Sequence, residues 1–312
     1  MGSETVTFRL ATPEDREAMA EVIAAANSAS PHDFTTRVQD RFGVPRPGGR
    51  RPFAFDAVVA DVGGRVVGFS GWRIDPKTGI GEVKGNYVLP EFQGRGISSR
   101  LVKEGGGRLR ALGPNLLKVR TEEDNRAARH IYEDKFGYEV LVRGLQYARL
   151  AGGEAPPIPG GVSIRPGTEA DRAAARALDL SRIERWKASE MPLVEERYAG
   201  GLPRPWRELR GDAYDARFAL VAERGGAVAG LVSFIPGRGT GSGCVTGLAA
   251  RETDESGDIG PAMAAAACAA LARDGDRVVC AEILETDRPA VRALEAAGFG
   301  RLGAIVICYR RP

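Results

Sequence analysis

Histidine is almost missing from this chain of 312 residues, which contains only His32 and His130, far apart in the sequence. Two distant histidines are too few for a histidine-based catalytic triad or metal centre, and we predict no metal site. All four cysteines lie in the second half and none forms a Cys-x-x-Cys pair, which favours buried thiols over disulfides or zinc ligands. Because the first half has no cysteine, an acyl-cysteine intermediate is excluded there.

The chain also lacks long hydrophobic runs and a strong excess of charge. Its longest apolar run, residues 261–272, is too short and too rich in alanine to span a bilayer, and no signal peptide is recognisable. The net charge is only +3, without a basic stripe or stacking aromatics, which disfavours nucleic acid as a partner. We predict a cytoplasmic protein, a monomer or homodimer, with neither membrane nor nucleic-acid partners. Its alanine-, arginine- and proline-rich usage indicates a bacterial source.

Three blocks of sequence occur twice in the same order. TFRLATPEDREAM at 7–19 resembles SIRPGTEADRAAA at 163–175, and VVADVGGRVVGF at 58–69 resembles LVAERGGAVAGL at 220–231. DNRAARHIYEDKFGY at 124–138 resembles TDRPAVRALEAAGF at 286–299, with one residue fewer before the glycine. Such a repeat indicates a tandem duplication, and the length suffices for two cores.

The stretch between the two copies, AGGEAPPIPG at 151–160, is rich in proline and glycine and has no apolar period, as is typical of a linker. We therefore predict domains at 1–150 and 161–312. In the first copy the pattern predicts strands near 5–10, 56–62, 66–74, 81–89, 115–121 and 138–149, and helices near 12–27, 96–112 and 125–135. The segment 181–211 has no clear period and is expected to cover a cleft or the contact between copies.

The order of these elements predicts an α/β fold of the α+β kind. Each domain should hold a mixed, mostly antiparallel sheet flanked by helices, with one parallel strand pair after residue 81 that is formed by a strand–helix–strand crossover. At the start of that crossover, PEFQGRGISSR at 90–100 places glycines between a strand and a helix. Helix N-termini expose unpaired N–H groups and attract anions, and glycines let such amides approach a phosphate. Taken alone, the pattern is more often a simple turn.

The combination of motifs resembles the GCN5-related N-acetyltransferase (GNAT) superfamily. It consists of Val88-x-Pro90 at the end of a strand, the loop Gln93-Gly94-Arg95-Gly96-Ile97-Ser98, then Asn125-x-x-Ala128-x-x-x-Tyr132 and a late Gly137-Tyr138. The family loop reads Gln/Arg-x-x-Gly-x-Gly/Ala, so Ser98 departs from it while remaining small. The resemblance covers most of the first copy and, more weakly, the second.

This resemblance implies acetyl-CoA as co-substrate. The amides of 94–98 would hold its pyrophosphate, the strand near Asn86 and Val88 would splay and present backbone groups to the pantetheine arm and thioester, and Asn125 would bind the pantetheine side. The implied cofactor-binding residues are Asn86, Val88, Gln93, Gly94, Arg95, Gly96, Ile97, Ser98, Asn125 and Ala128.

The resemblance also implies catalytic residues. Tyr132, seven residues after Asn125 and on the same helical face, would protonate the leaving thiolate; the alternative is a packing aromatic. Glu82 occupies the place of a catalytic glutamate found in some members, and would act as base through water because Asn86 lies about 13 Å along the strand. A solvated carboxylate beside Lys84 is the alternative. Asp33 is a weaker candidate for the base.

The second copy departs from this pattern. Its loop reads Glu255-Ser256-Gly257-Asp258-Ile259-Gly260, so acidic side chains stand where the phosphates of a ligand would bind. Repulsion between each carboxylate and a phosphate would weaken binding by on the order of a kcal/mol. Leu294 replaces Tyr132 and Asp287 replaces Asn125. We therefore interpret 161–312 as a degenerate GNAT domain with a structural or acceptor-cleft role.

The sequence thus predicts an N-acetyltransferase that moves an acetyl group to a small-molecule amine by direct attack in a ternary complex, with the active site in the first domain. A non-catalytic acyl-CoA-binding or regulatory module is the alternative from another class. Within enzymes, tandem members include mycothiol synthase and antibiotic-modifying acetyltransferases; the former is disfavoured because its second copy is the active one. The acceptor, and the length of the acyl group, stay open.

Overall fold

The structure, a computed structural model, describes residues 5–30, 34–43, 55–76, 78–178, 190, 193–198, 214–251 and 259–312. The predicted base Asp33, most of the segment 181–211 and the second-copy loop 252–258 lie outside the described residues. No helix within the described ranges is both long and apolar enough to cross a membrane.

The described residues of the first half form six strands and four helices, close to the predicted elements. The strands are β1 (Val6–Leu10), β2 (Asp56–Val62), β3 (Arg65–Ile74), β4 (Ile80–Val88), β5 (Leu116–Glu122) and β6 (Glu139–Leu150). The helices are α1 (Arg16–Ser28), α2 (Phe34–Phe42), α3 (Ile97–Ala111) and α4 (Arg126–Arg129), and α4 continues into a π-helix at His130–Lys135. The predicted helix over 125–135 is therefore present, but its second part is a π-helix rather than an α-helix.

The second half repeats this order. Its strands are β7 (Val162–Pro166), β8 (Ala219–Arg224), β9 (Ala227–Ile235), β10 (Ser242–Ala250), β11 (Val278–Leu284) and β12 (Gly300–Arg310). Its described helices are α5 (Arg172–Ala177), α6 (Ile259–Arg273) and α7 (Arg288–Ala296), and residues 193–197 are also helical.

The two halves share one sheet of 12 strands, ordered β1-β2-β3-β4-β5-β12-β6-β11-β10-β9-β8-β7. The last strand of each half therefore pairs with the fifth strand of the other: β12 pairs with β5, β6 pairs with β11, and β12 and β6 pair antiparallel at the centre. The order reads the same from either edge, as expected for two copies related by a pseudo-two-fold axis between β12 and β6. The sequence did not indicate this exchange.

An Arg–Asp pair after the first strand of each half confirms the repeat at atomic detail. Arg9 donates to both oxygens of Asp15 at 2.7 and 2.8 Å, and Arg165 donates to both oxygens of Asp171 at the same distances. Each carboxylate also accepts the backbone N–H of the predicted N-cap threonine at 2.7 Å. Since bidentate charged hydrogen bonds are strong, each network fixes the entry into the first helix of its half.

The predicted parallel pair is present in both halves and opens after a few residues. β4 and β5 pair only from Ile80↔Leu116 to Glu82↔Lys118, and β10 and β11 pair only from Ser242↔Val278 to Val245↔Ala281. Beyond these positions the strands separate. The sequence therefore builds a splayed groove twice, and the α3 helix follows the first one.

The described part of the segment between β7 and β8 lies on strands of the first half as well as the second. Val194 and Tyr198 are buried with Ile80, Leu116 and Ile307, and the Tyr198 hydroxyl donates to the Tyr309 carbonyl at 3.0 Å. In the reverse direction, Val38 of α2 packs on Ala148, Val278 and Cys280. Each half thus places a helical segment beside the parallel strand pair of the other.

We expect a cavity at Ile307 to destabilise both halves, because this buried β12 residue lies between β5 and β6. Ile307→Ala should lower the free energy of unfolding by about 2–5 kcal/mol. The measurement is urea unfolding followed by Trp72 fluorescence in a Trp186→Phe/Trp206→Phe background, since Trp72 is buried in the first half. Ile235→Ala, at a position 47% exposed, is the control and should change little. An unshifted Trp72 transition in Ile307→Ala would contradict the shared sheet.

Candidate active site

The loop between β4 and α3 has the backbone of an anion-binding turn. Gly94 and Gly96 both have φ of 75°, a left-handed conformation that strongly favours glycine, and Gly96 is the N-cap of α3. A Cβ built on either glycine would meet no atom within 4 Å, so the space above the loop is open. The first-turn amides of α3, which have no partner within the helix, are therefore accessible to a ligand from this side.

The predicted side chains of this loop mostly stabilise the loop itself. Gln93 Nε2 donates to the Val88 carbonyl at 3.1 Å, which closes the turn. The Arg95 guanidinium donates to the Glu91 carbonyl at 3.0 Å and lies 4.8 Å from the centre of the Phe92 ring. Val88 and Ile97 are buried in the core of the first half. In this conformation the ligand-facing groups are backbone amides rather than side chains.

The splayed strand β4 brings Asn86 to the loop. A bulge at Lys84 precedes it, because Gly71 pairs with Gly85 while the next β3 residue, Trp72, pairs with Val83. Asn86 Nδ2 donates to Ser98 Oγ at 2.6 Å, which links the strand to the first turn of α3. Among the described residues, Asn86 Oδ1 is buried without a hydrogen-bond partner, a costly arrangement that indicates a ligand donor at this point.

Tyr132 lies beside the same asparagine. Its side chain is buried, with 4% exposure, and its ring packs edge-on against Tyr138 at 5.8 Å between centroids. Burial is the main cause that raises the pKa of Tyr132 above its usual range, Tyr138 adds to it, and a hydrogen bond with the Asn86 side chain opposes it. The phenol therefore keeps its proton throughout the physiological pH range. The predicted Asn86, Ser98 and Tyr132 converge here.

A π-helix sets the direction of Tyr132. In the second half, α7 is regular and the Phe299 amide donates to the Leu294 carbonyl; in the first half, the equivalent bond runs from Tyr138 to Tyr132, one residue longer. The π-helix at His130–Lys135 accommodates this extra residue. π-Helical turns occur frequently at functional sites. The one-residue difference noted in the sequence was the available signal.

Asn125, which is predicted to bind the pantetheine side of acetyl-CoA, also caps a helix. It is the N-cap of α4, and its Oδ1 accepts the Ala128 amide at 3.0 Å. Asp287 caps α7 in the same way, at 3.4 Å from the Ala290 amide. The shared motif position thus caps the helix in both halves, which explains why an acidic residue can replace Asn125 without loss of the fold.

Glu82 lies at the last paired position of β4, immediately before the groove opens. Its Oε2 is 3.0 Å from Arg73 and 2.5 Å from Lys84. Burial raises the pKa of Glu82, but the charges of Lys118, Lys84 and Arg73 together outweigh burial and lower the pKa below its usual value. The carboxylate is therefore ionised at neutral pH and already paired. Glu82 lies beside Lys84, as the alternative interpretation expected, but it is not a solvated carboxylate, because its side chain is only 15% exposed.

The second half lacks these groups at the equivalent positions. Cys244 and Cys280 are register partners where the first half has Glu82 and Lys118, and Leu294 is buried in the core. The four cysteines are thiols, three of them buried. Among the described residues, the second splayed pair therefore has neither the carboxylate nor the ammonium of the first.

Sequence reasoning missed one charged residue next to this site. Glu190, from the second half, lies 2.6 Å from Lys118 Nζ and accepts a hydrogen bond from the Tyr309 hydroxyl. It lies in the segment predicted to cover a cleft or contact, which has no helical period. Because this segment has no regular hydrophobic pattern, nothing in the sequence indicated that Glu190 pairs with Lys118.

Residues 19–138 match the model of the acetyltransferase (GNAT) family. The chain is 35% identical over 99 residues to the mycothiol acetyltransferase of Rhodococcus jostii (strain RHA1); the alignment spans 30% of this chain and 32% of that protein. Among solved structures, a GCN5-related N-acetyltransferase from Sphaerobacter thermophilus superposes with a TM-score of 0.67 at 19% identity, covering 98% of this chain and 96% of that one. A tandem GNAT protein from the clavulanic acid biosynthesis pathway gives 0.66 at 17% identity, covering 98% of each.

The first half therefore contains a GNAT domain, and its family is one of acyltransferases. The fold of both solved structures extends over the two halves of this chain. The predicted fold class is confirmed, and the family model supports the predicted superfamily for residues 19–138. The chain matches about a third of the length of the curated mycothiol acetyltransferases that resemble it.

Tyr138 provides a test of the burial on which this site depends. Burial raises the pKa of Tyr138 to about 12, above the value of about 10 in an unfolded chain. Its contribution to stability is complete below about pH 10 and is lost as the pH rises toward about 12. Tyr138→Phe should therefore reduce the loss of unfolding free energy between about pH 9 and about pH 11 by about 1 kcal/mol. Urea unfolding at both pH values checks this; equal losses in wild type and variant would contradict it.

Proposed function

We propose that the chain is an acetyl-CoA-dependent N-acetyltransferase that transfers an acetyl group to the amine of a small molecule by direct attack in a ternary complex. The observation that carries the proposal is the convergence of an open αL glycine loop, the buried unpartnered oxygen of Asn86 and the buried phenol of Tyr132 at one splayed strand pair.

The residues present fit acetyl-CoA, which would supply an activated acetyl thioester. The amides of 94–98 would bind its phosphates, and the positive end of the α3 dipole favours that charge. Arg95 would add a cation by leaving Phe92. Asn86 Oδ1 would accept a donor of the pantetheine arm, Asn125 and Ala128 would line the same arm, and Ser98 holds Asn86 in place.

Tyr132 is the proposed acid. It holds its proton at Oη because burial disfavours the phenolate. Direct transfer produces a thiolate as leaving group, and a phenol held beside the groove can give this sulfur its proton at neutral pH. The Asn86 hydrogen bond orients the hydroxyl and eases the loss of the proton.

Glu82 is the proposed base. Its ionised carboxylate would receive the acceptor's proton through water as the amine nitrogen attacks. Arg73 and Lys84 hold the carboxylate at the start of the groove and lower its basicity. Asp33 lies outside the described residues and is not needed.

The proposed domain roles follow. Residues 1–150 carry catalysis, 151–160 form the linker, and 161–312 form a degenerate GNAT domain that completes the sheet and borders the acceptor side through residues 190 and 193–198. We propose a cytoplasmic location, a monomer or homodimer, and no nucleic-acid or membrane partner.

Tyr132→Phe is the central test. It keeps the ring against Tyr138 but removes the proton donor, so thiol release from acetyl-CoA with a panel of amines should fall by about 10²- to 10⁴-fold. The affinity for acetyl-CoA, measured by isothermal titration, should stay within about threefold. Tyr138→Phe is the matched control, and it should retain the wild-type rate.

Two other outcomes would redirect the proposal. Equal rates in wild type and Tyr132→Phe would remove Tyr132 from the chemistry. If acetyl-CoA binds but no amine raises thiol release above hydrolysis, the chain is a non-catalytic acyl-CoA-binding module.

A mycothiol acetyltransferase is the second candidate, because four curated relatives at 31–38% identity carry that name. Including a mycothiol-related amine and aminoglycoside antibiotics in the panel separates this candidate from antibiotic modification. The position of Tyr132 in the first half favours a different acceptor, since the resemblance to mycothiol synthase implies an active second copy.

Deletion of Asp134 tests the π-helix. This exposed residue pairs with His130, and its removal gives the segment the residue count of α7. A regular α-helix should result, with the fold intact and Tyr132 turned away from Asn86. Because small misplacements of catalytic groups are costly, we expect thiol release to fall about 100-fold, with an unchanged melting temperature. Full activity in the deletion variant would show that the π-helix is not required.

A further inference from the structure

Glu190 is a buried acid that has no role in the proposed reaction as described above. It is 0% exposed, Lys118 Nζ lies 2.6 Å from its Oε1, and its Oε2 is buried with no hydrogen-bond partner among the described residues. Buried carboxylates are costly even when paired, and apolar replacements of similar size are often at least as stable. The packing of the two halves therefore does not by itself explain an acid here.

The pseudo-symmetric contact supports this point. On the other side of the axis, α2 of the first half meets the β10–β11 pair, and there Val38 packs on Cys280. Cys280 occupies the position equivalent to Lys118. The second splayed pair therefore has a thiol at the position where the first has the cation that Glu190 pairs with.

Lys118 stands between two carboxylates. It is the register partner of Glu82 on the neighbouring strand, and its charge acts on Glu82, while its closest ion pair is with Glu190. The charged groups that act on Glu82 are Lys118 of β5, Lys84 of β4 and Arg73 of β3, and Tyr309 of β12 interacts with both Glu82 and Glu190. Among the described residues, Glu190 is the acid that pairs with Lys118, so it offsets one of the cations around the base.

We propose that Glu190, supplied by the second half, is a positioning residue for the reaction of the first half: it holds the Lys118 ammonium and so keeps this cation from pairing with Glu82, which stays able to accept the acceptor's proton. The inference rests on the proposed function, in which Glu82 is the base. The proton moves from the amine nitrogen to the Glu82 carboxylate, and Glu190 neither gains nor loses one.

Glu190→Gln in the full chain is the first test. The amide keeps the shape and the contact with Tyr309 but loses the charge, so Lys118 turns to Glu82. We expect kcat to fall about tenfold, a fraction of what a general base contributes, with the KM and Kd for acetyl-CoA unchanged. Adding Lys118→Gln should restore kcat, because the competing cation is gone, and Glu190→Asp should restore part of it.

A direct titration gives a readout that a structural role would not change. With ¹³C-carboxyl glutamate, the Glu82 signal is assigned by its loss in Glu82→Gln. The pKa of Glu82 should be lower in Glu190→Gln than in wild type, and should rise again in Glu190→Gln/Lys118→Gln. Identical titration curves in all three proteins, or a double variant no faster than Glu190→Gln, would overturn the inference.

Glu139→Gln is the matched control. Glu139 pairs with Arg197 and anchors the same segment on the exposed side, with 2.9 Å between Arg197 Nε and the carboxylate. We expect no change in kcat. An equal loss in Glu139→Gln would show that docking of the segment, and not charge, is responsible. If Glu82→Gln retains full activity, the proposed base fails, whereas the titration still tests the coupling of Glu190 to Glu82 by itself.

Discussion

The catalytic groove depends on how β5 is held. β4 and β5 share three register pairs before they separate, whereas β5 shares six with β12 on its other side. A strand that gives up one neighbour leaves backbone groups unpaired, and it stays in place only when the remaining neighbour anchors it. In this chain the anchor is the last strand of the second half. The opening between β4 and β5 in the first half therefore exists because β12 of the second half supports β5.

Two copies of one fold have different chemistry here because a few local features differ. One extra residue converts a regular helix into a π-helix, and the first copy has a buried Tyr132 beside Asn86 where the other copy has a buried Leu294. A Glu82–Lys118 pair stands where the other copy has two cysteines. Meanwhile the Arg–Asp networks and helix caps, which serve folding, are the same in both. Shared features thus indicate the fold, and the differing ones indicate the function.

Much of this could be predicted from the sequence, since local rules govern it. Hairpin glycines, the capping threonines, the strand–Gly-x-Gly–helix junction and the parallel pair follow from short-range patterns, and the matched blocks revealed the duplication. The exchange of β6 and β12 could not be predicted, because either partner for β5 satisfies the same apolar pattern. The same holds for the Asn86–Ser98 bond and the Glu190–Lys118 pair, which join residues distant in the sequence. The π-helix left a trace, the unequal spacing before the glycine, but its geometry follows only from the backbone hydrogen bonds.

The central position of β12 has a consequence for synthesis of the protein. β12, which completes the sheet beside β5, comes far later in the chain than β5, so the first half leaves the ribosome with one strand edge uncovered and waits until β12 has been made. A product that stops before β12 would lack this strand and would not mature. The arrangement therefore ties the folding of the first-made half to the synthesis of β12, and it makes separation of the two duplicated units by recombination difficult, because each would carry away a strand that the other requires.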